Sequence, residues 1–259
     1  MTAAAPAATS RLYYEPKITI LSRPAFTTPE HLAVNWIGES TDGERLAEFA
    51  GRVCYMSQHN PAKRATREYL DNIKKQGHGS VLEHANYTLL LEGVSRSLTH
   101  ELVRHRAGFA YSQLSQRYVD ESEASFVVPP AVIGDTQLED AWRAQIEQAQ
   151  QAYVALVEKL MARYGWVTDR VHRRKMAREA ARAVLPNATE TKIVVTANAR
   201  AWRTMLELRA SEGAELEIRR AAIAILRVLQ CEAPGFFSDF EIYQGEDRLA
   251  AARVIYHKV

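Results

Sequence analysis

Basic and amide side chains are concentrated in residues 104–118, which read RHRAGFAYSQLSQRY. This stretch contains three arginines, one histidine and two glutamines, and it has no acidic residue. Guanidinium groups match phosphate oxygens with paired donors, and serine hydroxyls and backbone N–H groups complete such a site. We therefore predict a loop that binds an anionic ligand, with a solvated basic turn as the alternative.

A second basic group lies in the run HRRKMAREAARAVLP, residues 172–186. Lys175, Arg178 and Arg182 stand at i, i+3 and i+7, so they line one face of a predicted helix. Like charges on one face repel each other unless an anion lies between them. The face is equally compatible with a phosphate site and with a solvated or nucleic-acid-binding surface.

Several common catalytic motifs are missing from the sequence. It contains no GxGxxG motif, P-loop, GxSxG elbow or catalytic cysteine-histidine pattern. His78, Glu83 and His84 are metal-ligand residue types, but their spacing fits no standard zinc pattern, so we predict no metal site. Ser115 has no activating base nearby in the sequence, and we assign it to phosphate or ring binding rather than to nucleophilic attack.

Composition indicates an ordinary globular protein. The chain has 259 residues, of which 47% are hydrophobic and 25% charged, with a net charge of +2. That length allows one large domain or two small ones, and the small net charge argues against a general nucleic-acid binder. The two cysteines, Cys54 and Cys231, fit a reducing cytoplasm, where we expect them to be small core residues. We expect no membrane span and a disordered tail over residues 1–13, although a short acid-poor leader is also compatible with organellar targeting.

Hydrophobic periodicity predicts alternating helices and strands. The predicted strands are 17–21, 86–92 and 192–197. The predicted helices are 43–55, 63–76, 95–104, 138–164, 201–210 and 214–231, in addition to the helix of the second basic group. In helix 43–55 the predicted inward face is Leu46, Phe49, Ala50 and Val53. We predict an α+β fold with a mainly antiparallel sheet flanked by several long helices, and not a Rossmann fold.

The arginine-rich stretch also carries a family resemblance. The triplet Arg104, His105 and Arg106, followed after eight residues by Ser115, Gln116 and Arg117, resembles the signature of the flavin-dependent thymidylate synthases. The runs HGSVLEHANYT, SRSLTHELVRHR, ARAVLPNATETKIVV and NARAWR resemble that family in the same order. The resemblance covers most of residues 51–240.

Such a resemblance implies a reaction and its ligands. The family methylates dUMP at C5, taking the carbon from 5,10-methylenetetrahydrofolate, a folate, and the hydride from FAD that NADPH has reduced. It implies a single domain over residues 14–259, a homotetramer with sites shared between subunits, and neither a nucleic-acid nor a membrane partner.

The same resemblance implies which residues bind. Those expected to contact FAD are Ser80, His84, Arg104, His105, Arg106, Gln113, Asn198, Ala199, Arg200 and Thr204. Those expected to hold the nucleotide are Glu101, Leu102, Val103, Arg104, Gln113, Leu114, Ser115, Gln116, Arg117, Arg182 and Arg209. Eight residues instead of seven precede Ser115, and Thr204 stands where a longer polar residue is common.

Arg209 is the residue that we predict to be catalytic. Uracil becomes nucleophilic at C5 when negative charge develops on its N3 and O4 atoms. A fixed guanidinium stabilises that charge without transferring a proton.

Two rival functions are also compatible with the sequence. A nucleic-acid-binding protein would use the arginine clusters as phosphate contacts and would bind in a salt-dependent way. A flavin reductase would oxidise NADPH without any response to dUMP.

Overall fold

The structure is a computed structural model that describes residues 11–57 and 64–259. The α-helices, in chain order, are α1 (Asp42–Cys54), α2 (Thr66–Lys75), α3 (Arg96–Leu102), α4 (Thr136–Arg163), α5 (Arg170–Ala181), α6 (Ala199–Arg209), α7 (Leu216–Glu232) and α8 (Pro234–Phe237). The strands are β1 (Leu12–Tyr13), β2 (Lys17–Ser22), β3 (Asn86–Ser95), β4 (Phe109–Gln113), β5 (Phe126–Val127), β6 (Glu190–Asn198), β7 (Phe240–Gln244) and β8 (Ala250–Val254). Short 3-10 helices include Gly79–His84 and Arg182–Val184.

The largest sheet has four strands in the order β2-β3-β6-β4. Strands β3 and β6 are antiparallel, because Thr88 meets Thr196 while Glu92 meets Lys192. Strands β7 and β8 form a separate antiparallel pair, and β1 pairs with β5 in parallel. The predicted α+β class with a mainly antiparallel sheet is confirmed.

The chain divides into two compact units, each assembled from separated segments. The described residues of the first unit are 11–16, 92–100 and 113–193, and those of the second are 17–57, 64–91, 101–112 and 194–259. In the first unit, Phe126 and Ile146 are packed with Ala124 in a hydrophobic cluster. In the second, Trp202 and Leu206 of α6 are fully buried. One domain over residues 14–259 remains a prediction.

Several predicted boundaries differ from the structure. Strand β3 does not end at Gly93 but continues to Ser95, because Gly93 adopts a φ of 64° and its N–H donates to the Glu190 carboxylate. The predicted loop after Gly108 begins with strand β4, and the strands β7 and β8 were not predicted. Residues 1–10 of the predicted tail, and the predicted helix start at residue 63, lie outside the described residues, whereas Leu12 and Tyr13 form β1.

Helix α1 buries a different face from the predicted one. Glu44, Glu48 and Arg52 are buried, whereas the apolar side chains at 46, 49, 50 and 53 are only partly covered. Burial of the charges is possible because Glu44 accepts hydrogen bonds from Thr41 and Gly235, and Glu48 pairs with Arg52 at 2.6 Å. Hydrophobic spacing alone does not reveal such partners.

Both cysteines are exposed, so the expectation that they lie in the core is wrong. Within residues 11–57 and 64–259, no helix is both long enough and apolar enough to cross a bilayer.

Candidate functional site

Strand β6 ends where helix α6 begins, and this junction forms one wall of a cavity in the second unit. The Asn198 side chain caps the helix by accepting a hydrogen bond from Ala201 N at 2.8 Å, and Ala199 N donates to Ala85 O at 2.8 Å. The cavity, which we call the α6 pocket, has a volume of about 570 Å³. It is lined by Glu83, His105, Arg106, Ala107, Gly108, Phe109, Asn198, Arg200, Ala201, Thr204, Glu207, Leu208 and Lys258.

Gly108 allows the chain after the arginine triplet to lie directly against α6. Its φ is 76°, and an added Cβ would lie 2.7 Å from Asn198 Nδ2 and 2.9 Å from Ala201 Cβ. Any larger residue would therefore push the Arg106 segment away from the helix N-terminus. A glycine here brings backbone and helix end together on one side of the pocket.

Five of the residues predicted to bind FAD line the α6 pocket: His105, Arg106, Asn198, Arg200 and Thr204. Ala199 is buried at the start of α6, while Ser80 and His84 are exposed on the 3-10 helix Gly79–His84, which packs against α6. Arg104, the first residue of the triplet, is exposed, and Gln113 belongs to the first unit. Thr204 donates a hydrogen bond to Arg200 O at 3.1 Å.

Arg209 is held by two side chains. Its Nε donates to His105 Nε2 at 3.0 Å, and its Nη1 donates to the Glu101 carboxylate at 2.7 Å. Burial, followed by the charge of Arg209, lowers the pKa of His105. A neutral imidazole and a carboxylate therefore fix the orientation of the residue that we predicted to be catalytic.

A second cavity lies in the first unit, where Arg182 begins the 3-10 helix that follows α5. This Arg182 pocket has a volume of about 500 Å³. It is lined by Arg96, Gln116, Glu179, Arg182, Ala183, Leu185, Pro186 and Asn187. Burial lowers the pKa of Arg96. The charge of Glu121 opposes this shift, and the charge of Arg182 adds to it.

Two observations indicate that the Arg182 pocket suits an anion. Among the described residues, no carboxylate forms a salt bridge with Arg96 or Arg182, although the two guanidinium groups are close enough to influence each other. The amide nitrogen of Gln116 is buried and has no hydrogen-bond partner in the described part of the chain. Buried donors of this kind normally have a partner, and a phosphate oxygen would supply one.

Several other residues predicted to hold the nucleotide form hydrogen bonds within the protein or are buried in it. Gln113 Nε2 donates to Thr99 at 3.1 Å and Ser115 Oγ accepts from Arg117 N at 3.4 Å, while Leu114 N donates within the sheet. The Leu102 side chain is in the core, which leaves only its backbone for a ligand, whereas Val103 is exposed.

Several of the arginines predicted to lie in the site have acidic partners that the sequence did not indicate. Carboxylates from distant parts of the sequence form ion pairs with three of these arginines: Glu179 with Arg117 at 2.9 Å, Glu83 with Arg200 at 2.6 Å, and Glu101 with Arg209 at 2.7 Å. The predicted face of α5 is also corrected. Arg182 lies beyond the end of that helix, Arg178 pairs with Asp120, and the Lys175 ammonium lies 4.9 Å from the centre of the Tyr118 ring.

Sequence reasoning missed several lining residues. Arg96 and Asn187 in the Arg182 pocket, and Glu83, Glu207 and Lys258 in the α6 pocket, were not among the predicted site residues. Arg96 and Asn187 lie within the runs that carried the resemblance, which was a usable signal. Lys258 had no such signal, since it lies outside those runs and its backbone is positioned by Glu207.

Comparisons with known proteins agree on one family. A profile of the family described as "Thymidylate synthase complementing protein" matches residues 37–235. The chain is 50% identical over 233 residues to a flavin-dependent thymidylate synthase of Mycobacterium sp. (strain JLS), covering 88% of this chain and 91% of that protein. It is 50% identical over 228 residues to the protein of the same name from Mycobacteroides abscessus, covering 87% and 90%. For the relative of that name from Mycobacterium tuberculosis (strain ATCC 25177 / H37Ra), the identity is 47% over 228 residues.

Proposed function

The chain belongs to the thymidylate synthase complementing protein family, the flavin-dependent thymidylate synthases, and we propose on that premise how its residues serve the reaction. The resemblance carried by the arginine triplet is thus confirmed. The enzyme converts dUMP to dTMP, using 5,10-methylenetetrahydrofolate as the carbon donor and NADPH as the source of reducing equivalents for FAD.

The α6 pocket has the donors that an FAD molecule requires. Arg106, Arg200 and Lys258 supply positive charge for phosphate oxygens, and the N-terminus of α6 adds its helix dipole. Phe109 and Leu208 supply apolar surface for a ring. We assign Arg106, Asn198, Arg200 and Thr204 as the residues that hold the cofactor. FAD, when bound, supplies the hydride chemistry, and the protein binds and orients it.

The Arg182 pocket suits the phosphate of dUMP. Arg182 and Arg96 offer two guanidinium groups without salt-bridge partners among the described residues, and Gln116 offers a buried amide donor. We assign these three residues to the nucleotide phosphate, with Ser115 and Arg117 as neighbours on the same segment. This assignment is supported most directly by the unsatisfied Gln116 nitrogen.

Arg209 has the electrostatic role in this proposal. Its guanidinium is fixed by Glu101 and His105, so it does not have to reorganise when negative charge develops on the uracil ring. Glu101 keeps the arginine oriented until the nucleotide arrives.

We also propose that the enzyme is a homotetramer in the cytoplasm. Helix α4 is 28 residues long, and only Ile146, Gln150 and Tyr153 are buried on it. Its remaining apolar side chains, including Trp142 and Leu156, stay partly or fully exposed in the single chain. Another subunit would cover such a face. The free cysteines fit a reducing compartment.

The deciding experiment is a reaction with purified protein. We expect a yellow protein that forms thymidylate from dUMP, 5,10-methylenetetrahydrofolate and NADPH. A flavin reductase would instead oxidise NADPH without forming product, and a nucleic-acid-binding protein would be colourless and bind DNA or RNA in a salt-dependent way.

Arg209→Ala tests the assigned role. Because one preorganised donor contributes about 10²–10³ in kcat, we expect at least that loss with FAD still bound. Arg253→Ala, which removes an exposed arginine on β8, is the matched control and should leave turnover near normal. Near-normal turnover of Arg209→Ala would overturn the electrostatic assignment.

A further inference from the structure

The contact between His105 and Arg209 specifies where the imidazole proton lies. Arg209 Nε always carries a hydrogen, so at 3.0 Å it must be the donor and His105 Nε2 the acceptor. A nitrogen that accepts here carries no proton. The neutral ring is therefore protonated at Nδ1.

Aromatic packing holds the His105 ring in this orientation. Its centroid lies 6.0 Å from that of Phe109, which in turn packs against Tyr111 at 5.7 Å and Trp202 at 5.3 Å. The Tyr111 hydroxyl donates to His105 O at 2.6 Å. Backbone and ring are thus both restrained, which is the arrangement that a rigid acceptor requires.

We propose that His105, as the neutral imidazole protonated at Nδ1, is a positioning residue that holds Arg209 in the orientation needed for the reaction. This inference rests on the proposed function of Arg209. It adds to His105 a role toward another side chain, in addition to its predicted place beside FAD.

Protonation of His105 would reverse the interaction. An imidazolium presents an N–H and a positive charge to a guanidinium that also presents an N–H and a positive charge, so the hydrogen bond would be lost and Arg209 displaced. The lowered pKa of His105, caused by burial and then by Arg209, keeps the ring neutral at pH 7. The charged groups near His105 are Arg209, which contacts it, Glu101, which pairs with Arg209, and Arg104 and Arg106, its neighbours in the chain. Four further charged residues line the same pocket: Glu83, Arg200, Glu207 and Lys258.

Nitrogen chemical shifts of histidine side chains test the proposal independently of turnover. In protein labelled with ¹⁵N-histidine, and with His105→Gln used to assign the signal, we expect His105 to show a protonated Nδ1 and an unprotonated Nε2 at pH 7.5. In Arg209→Ala the pKa of His105 should rise, because a neighbouring positive charge is removed. A wild-type ring protonated at Nε2 would overturn the proposal, as would a pKa that Arg209→Ala leaves unchanged.

Turnover as a function of pH provides the second measurement. We expect kcat of the wild-type enzyme to fall as the pH drops through a value below about 6.5, the ordinary pKa of histidine. His105→Leu, which has no acceptor, should lose about tenfold or more of kcat at every pH. His105→Gln places an amide oxygen near the position of Nε2, so it should recover part of that loss without the acid limb.

The control is His31→Gln, which alters an exposed histidine outside the α6 pocket and should keep the wild-type pH profile. Equal kcat for His105→Leu and His105→Gln, with the acid limb intact in both, would contradict the positioning role. Failure of the proposed function has a different signature, because the wild-type protein would then form no thymidylate while the nitrogen shifts could still be read.

Discussion

Three arginines that we predicted to lie in the site each have a carboxylate partner from a distant part of the chain. Glu101 precedes Arg209 by 108 residues, Glu83 precedes Arg200 by 117, and Glu179 follows Arg117 by 62. These carboxylates compensate the repulsion between clustered cations and orient the guanidinium groups before any ligand binds. Arg96 and Arg182 have no such salt bridge within the described residues, and we propose that an external anion compensates their charge.

The buried Glu121 carboxyl should make the stability of the protein depend on pH. Burial raises the pKa of Glu121 to about 7. The positive charge of Arg96 opposes this shift, and the negative charges of Glu190 and Asp120 add to it. Between about pH 4.3, the ordinary value for glutamate, and about pH 7, the folded protein retains a proton that the unfolded chain releases. Stability therefore falls as the pH rises through this window.

We expect Glu121→Gln to increase the free energy of unfolding at pH 8 by about 1–3 kcal/mol, since the amide avoids the cost of a buried charge. The gain should shrink as the pH is lowered toward 5. Urea denaturation at several pH values measures it, with the exposed Glu123→Gln as the control. Equal stability of Glu121→Gln and wild type at pH 8 would show that Glu121 ionises without a penalty.

At the scale of elements, a buried ionic cluster joins α2, α6 and the segment before β7. The Asp239 carboxylate accepts hydrogen bonds from Arg203 of α6 at 2.6 and 2.8 Å and from Lys74 of α2 at 3.1 Å. Lys74 and Arg203 are 1% and 2% exposed, so neither cation can turn to solvent. Arg203 also donates to Tyr256 O at 2.9 Å, which ties the chain after β8 to α6.

Asp239→Asn should therefore destabilise the protein by about 3–5 kcal/mol, because it leaves the buried Arg203 without its anion and leaves Lys74 with Asp71 alone among the described carboxylates. Burial by itself would raise the pKa of Asp239, but the hydrogen bond and charge of Arg203, together with Lys74, lower it. The stabilising contribution is therefore present above the carboxyl pKa of the unfolded chain and is lost as the pH falls through the lower folded value.

Chemical denaturation at pH 7 measures this loss. The control is Glu241→Gln, which breaks an exposed pair with Arg253 and should cost less than about 1 kcal/mol. If both substitutions had equally small effects, the cluster would contribute no more than a surface ion pair.

At the scale of the whole molecule, partly exposed apolar faces on α1 and α4 support association of subunits. On α4, Val154 is 44% exposed although it lies in the middle of a long helix. The net charge of +2 is too small to keep copies of the chain apart. In the proposed tetramer, contacts between subunits would cover these apolar faces.

Light scattering should therefore give a mass four times the 29.2 kDa of one chain. Val154→Glu places a charge on the outer side of α4 and should lower that mass, while Gln151→Glu on the same helix, at an exposed polar position, should not. A wild-type protein with the mass of a single chain would overturn the tetramer, and an unchanged tetramer in Val154→Glu would place its interface elsewhere.

The sequence by itself determined the local elements and the family. Helix α6 was predicted at 201–210 and forms over Ala199–Arg209, and strand β6 was predicted at 192–197 and forms over Glu190–Asn198. These predictions succeeded because periodicity and turn residues act over a few neighbouring positions. The arginine triplet with its following Ser115 identified the family for the same reason, since its residues are close together in the chain.

Only the tertiary structure decided which charges are neutralised and which remain for a ligand. The sequence predicted that Lys175, Arg178 and Arg182 would act together, but folding pairs Arg178 with Asp120 and places Arg182 with Arg96 and Gln116. Nor did spacing indicate that Arg209 would meet both Glu101 and His105. Side-chain pairing across about a hundred residues depends on how the elements pack, and local residue patterns do not encode that packing.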